Sequence, residues 1–61
     1  MMIKRVLIVS DMGDVQTRYN LPAGAKLPVK VADFFLFQTV EGVDVIINAY
    51  DVGKMELQPE A

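Results

Sequence analysis

No cysteine and no histidine occur among the 61 residues. The first absence removes disulfides, and the two together remove thiolate and imidazole ligands, so zinc-type centres are excluded. They also remove the usual nucleophile–base pairs, leaving only Ser with Lys, Lys alone or carboxylates for covalent chemistry. Long apolar runs are missing as well. Nothing approaches the roughly 18 residues of a membrane span. Lys4-Arg5 followed by Val6–Val9 imitates the start of a signal peptide. Four apolar residues fall short of the usual 7–15 or so, and the segment reads as a strand. Lack of cysteine fits a cytoplasmic protein. Net charge is only −2, too mild to imply a partner.

What is present is apolar surface. Hydrophobic residues make up 52% of a chain short enough for one domain, taken as residues 1–61 with a frayed tail at 59–61. A domain of this size buries only about 60% of what its unfolded chain exposes. Small domains make up the deficit with disulfides, a metal or oligomerisation. With the first two excluded, self-association into a dimer or larger is expected.

The strongest stretch is Asp33–Tyr50, which reads as two strands joined at Glu41-Gly42. A two-residue hairpin loop there uses glycine for a positive φ. It pairs Val40 with Val43, Gln38 with Val45, Leu36 with Ile47 and Phe34 with Ala49. Those eight share one face, apolar except for Gln38. The opposite face then carries Phe35, Phe37, Ile46, Asn48 and Tyr50 together with Asp33, Thr39 and Asp44, half apolar and suited to contact with another protein or a second copy. A three-residue loop through Val40 would shift the register by one and exchange the faces of one strand. The two-residue loop segregates apolar side chains better and is the expected register.

Around this hairpin the chain offers further strands. Ile3–Ser10 is continuous and β-branched at its centre. Ser10–Asp14 is a turn cluster. Val15–Leu21 alternates and pairs back on the first strand, with Val15, Thr17, Tyr19 and Leu21 on one face. A short helix near residues 11–20 is the competing reading, because Met12, Val15 and Tyr19 are helically spaced behind Ser10 or Asp11 as a cap. Residues 21–28 form a Pro- and Gly-punctuated loop, and Val29–Ala32 leads into the long strand. Asp51–Gly53 is a turn with Gly53 left-handed, and Lys54–Gln58 is a last strand with Met55 and Leu57 inward. The expected fold is all-β: five strands in a small, SH3-sized barrel or curled antiparallel sheet, closed on itself or completed by a second subunit. The alternative is α+β with the one short helix.

Val9-Ser-Asp-Met-Gly-Asp14 superficially resembles the first metal-binding loop of metallophosphoesterases. That family places a histidine close after the first aspartate, and none stands here. Turn chemistry accounts for Asp11, Gly13 and Asp14 without a metal. Pro22–Lys26 has glycine and lysine but not phosphate-loop spacing. No catalytic, cofactor or metal residue is assigned, and the chain reads as a non-enzymatic binding protein. Charge is unevenly spread: residues 1–30 hold five cations against two carboxylates, net +3, and residues 31–61 one against six, net −5. A second reading is therefore a small barrel binding nucleic acid or a nucleotide through Lys4, Arg5, Arg18, Lys26 and Lys30. A third is a small-ligand pocket between subunits.

Overall fold

The computed structural model describes residues 4–59. Two three-stranded antiparallel sheets pack face to face, and no closed barrel forms. The first sheet has the order β2-β1-β6, from β1 (Lys4–Ser10), β2 (Gln16–Leu21) and β6 (Val52–Pro59). The second has the order β3-β4-β5, from β3 (Val29–Val31), β4 (Phe34–Gln38) and β5 (Asp44–Asn48). The architecture is thus all-β as expected, with six described strands where five were expected. The extra one arises because Val29–Val31 does not run on into β4. Ala32 and Asp33 turn the chain back, pairing Val31 with Phe34 and Val29 with Leu36.

β1 is central because its apolar run can be covered on both faces. Val6 and Ile8 point into the space between the sheets, opposite Tyr19 and Thr17 on β2 and Leu57 and Met55 on β6. Leu7 points the other way and is still buried, flanked across the strands by Arg18 and Glu56. The core is Val6, Ile8 and Leu21, with Tyr19, Phe37, Ile47, Val52, Met55 and Leu57 among the side chains against it. The Tyr19 and Phe37 rings meet edge to face, centroids 5.2 Å apart at 72°, and join the two sheets. Residues 16–21 form a strand, so the expected pairing holds and the helical alternative for 11–20 fails. Gly13, with φ +77°, ends the turn before β2, and strand alternation outweighs the helical spacing of three apolar residues.

The hairpin register is corrected. Its loop has three residues, Val40-Glu41-Gly42, and β4 and β5 pair Phe35 with Ile47, Leu36 with Ile46 and Phe37 with Val45. Gly42 takes φ +86°, the left-handed position that follows a type I turn in three-residue hairpins. Thr39 closes the loop: its N–H donates to the Val43 carbonyl at 2.9 Å and its Oγ1 accepts from the Val43 N–H at 3.2 Å. The Val40 N–H donates to the Asn20 carbonyl at 2.9 Å, tying the hairpin tip to the end of β2. These bonds favour the register that turns Phe35, Phe37, Val45 and Ile47 towards the core.

Two more readings change at the end of the chain. The turn between the sheets is a single 3-10 turn at Ala49–Asp51, capped by Asn48, whose side chain accepts from the Tyr50 N–H at 2.9 Å. Gly53 lies beyond it in β6 and is not left-handed; it occupies a bulge opposite Val9 and Ser10. β6 runs through Pro59, which corrects the frayed tail at that residue, while 60 and 61 lie outside the described residues.

Candidate functional site

The second sheet has an inner and an outer face. Its outer face carries Val29 and Val31 from β3, Phe34 and Leu36 from β4, and Ile46 from β5, all exposed. Exposure of these five ranges from 43% for Phe34 and Leu36 to 70% for Val29. Polar side chains mark its ends, with Gln38 and Asp44 paired at one and Asn48 at the other. The Gln38 Nε2 donates to Asp44 Oδ1 at 3.2 Å and to the Gly42 carbonyl at 3.4 Å. Gln38 is thus an exposed rim residue with a partner. An open depression of about 450 Å³ lies at this end, lined by Leu36, Phe37, Gln38, Asp44, Val45 and Ile46.

The five residues expected to share a contact face are divided by the register. Phe35 and Phe37 are half-buried on the inner face, and Phe37 packs on the core. Ile46 and Asn48 are exposed on the outer face, and Tyr50 stands exposed in the 3-10 turn. The apolar outer residues that the wrong register placed inside are Phe34 and Leu36. Val29 and Val31 were missed because their strand was not separated from β4. The signal for that separation was Asp33, a turn former between two β-branched and aromatic runs.

Compared with family models, curated proteins and solved structures, the chain matches none.

The basic residues do not form one patch. Arg5 and Arg18 are diagonal neighbours on the outer face of the first sheet. Lys4 donates from Nζ to the Ala25 carbonyl at 3.3 Å. Lys26 lies in the loop before β3, and Lys30 lies on β3 in the other sheet, opposite Phe35. Lys54 and Glu56 form an exposed ion pair at 3.3 Å beside Arg18's end of the face. The Ser10–Asp14 turn is satisfied internally: Ser10 Oγ donates to Asp14 Oδ1 at 2.8 Å and accepts from the Val15 N–H at 3.1 Å. Among the described residues no group of three or more potential metal ligands gathers, and no helix is long and apolar enough to cross a membrane.

Proposed function

We propose that this is a non-enzymatic interaction protein that assembles with itself through the outer face of the β3–β4–β5 sheet. The observation that carries this reading is the row of five large apolar side chains on that face. At their fractional exposures the five together leave roughly 300–400 Å² of apolar side chain wet, as large as the main apolar patch of an ordinary monomer, about 300–600 Å², which is often a functional surface. With its rim the face approaches the roughly 800 Å² that each partner of a stable complex buries.

The shape of the chain supports the same conclusion. It is a slab of 33 × 23 × 15 Å, little thicker than two stacked sheets. Its accessible surface is 4304 Å², against about 4,000 Å² for an average monomer of this mass. Only four hydrophobic side chains among the described residues are buried: Val6, Leu7, Ile8 and Leu21. A second copy supplies burial that the open pair of sheets lacks, and a two-fold pairing of identical faces closes without leaving a face over.

Ile46→Asp tests this reading. Ile46 is 67% exposed, so the variant keeps the fold. Size exclusion with light scattering should give at least twice the chain mass for the wild type and the single-chain mass for Ile46→Asp, with unchanged circular dichroism. A wild type and variant of equal mass would remove the outer face from the account.

A further inference from the structure

The depression and Tyr50 stand at opposite ends of one hairpin, and each lacks a partner of its own shape. Tyr50 is the most exposed aromatic residue, at 73%. The depression lies between the exposed pair Leu36 and Ile46 and the exposed pair Gln38 and Asp44, with Phe37 and Val45, whose side chains face the core, beneath it. From Val45 to Asn48 the strand runs roughly 10 Å, and Tyr50 follows in the 3-10 turn. We infer that the depression is the receptor for Tyr50 of a second copy, so that the self-association proposed above is locked by two reciprocal tyrosines.

Symmetry makes the arrangement self-consistent. In a two-fold interface, if residue i of one copy meets residue j of the other, j also meets i. Setting one hairpin antiparallel on the other brings each Tyr50 over the other copy's depression. The axis then passes between the Phe34–Asn48 pair and the Leu36–Ile46 pair, so that Phe34 of each copy meets Leu36 of the other and Ile46 meets Asn48. The ring lies against Leu36 and Ile46 in the open depression of about 450 Å³. The phenol O–H reaches the rim, where Asp44 Oδ1 already accepts from Gln38 and Oδ2 is left to accept the phenol. Tyrosine suits such a site, because its ring gains by burial while its hydroxyl keeps a polar partner.

The absence of cysteine makes the test clean, since an introduced thiol is unique. Chains carrying Gln38→Cys and Tyr50→Cys are mixed at equal concentration under mild oxidation. A mixed disulfide should form in excess over either homodisulfide. Gln38→Cys mixed with Met12→Cys, exposed in a turn of the other sheet, should not give it. In the chain without thiols, Tyr50→Ala should weaken self-association at least tenfold, while Tyr50→Phe should weaken it only a few-fold. Self-association of the wild type without the mixed disulfide, or undiminished in Tyr50→Ala, overturns this inference and leaves the outer-face reading intact. A wild type that stays monomeric overturns both.

Discussion

At the scale of single residues, two backbone positions carry opposite signs. Ala32 holds φ +52° in the β3–β4 turn, where a Cβ makes the left-handed region unfavourable by about 1–2 kcal/mol. Glycine removes that strain but gives the unfolded chain about 0.4–1 kcal/mol more entropy to lose. The strain is the larger effect, so Ala32→Gly should stabilise by roughly 0.5–1 kcal/mol, read as a higher urea midpoint with an unchanged slope. Gly53 is the reverse case. A Cβ there would lie 2.7 Å from the Ser10 carbonyl oxygen and 3.2 Å from the Asp11 Cα, both backbone atoms. Backbone yields at a cost, so Gly53→Ala should destabilise by about 1–3 kcal/mol. For a domain of this size that lowers Tm by about 4–8 °C or more. A Tm at or above the wild type would mean that the bulge is not packed as described. Gly53 was visible in the sequence as a special position, but for the wrong reason. Glycine serves both positive φ and close approach, and only the bulge beside Ser10 distinguishes them.

At the scale of elements, the hairpin decides which aromatic residues build the core. β1, β2 and β6 were legible because each has a plain rhythm: a continuous apolar run, an alternating strand, and Met55 and Leu57 between polar neighbours. β4 and β5 have no such rhythm, since Phe34, Phe35, Leu36 and Phe37 are consecutive and Val45, Ile46 and Ile47 follow the same pattern. With apolar residues on both faces, periodicity cannot set register, and the loop sets it. The Thr39–Val43 bonds, the left-handed Gly42 and the bond from Val40 to Asn20 are tertiary and turn chemistry that a count of apolar positions does not register. Alanine substitutions separate the registers. Phe37→Ala removes a ring packed on Tyr19 and the core and should cost about 3 kcal/mol. Leu36→Ala acts on an exposed side chain and should cost less than about 1 kcal/mol in dilute, monomeric conditions. The sequence-favoured pairing predicts the reverse order, so denaturant titration of the two variants tells which is right.

At the scale of the whole molecule, length and composition give self-association as the expectation, because a short, apolar chain without cysteine or histidine has few other ways to bury its surface. Which surface is proposed for this was hidden by the hairpin register: Ile46 and Asn48 remain on the outer face, Phe35 and Phe37 leave it, and Phe34, Leu36, Val29 and Val31 join it. The basic residues, grouped in the sequence, are dispersed by folding over two sheets and a loop. Binding to a generic oligonucleotide should accordingly be weak at physiological salt, and tight binding that falls steeply with salt would favour the nucleic-acid reading instead. The central claim, that the outer face of the β3–β4–β5 sheet is covered by a second copy, is tested most directly by sedimentation of the wild-type chain over concentrations from submicromolar to hundreds of micromolar. The account predicts a mass that rises with concentration from that of one chain to two or more, together with a Tm that rises alongside it, because a partner that binds only the folded state adds stability. A single-chain mass across the whole range, with a Tm independent of concentration, would contradict it.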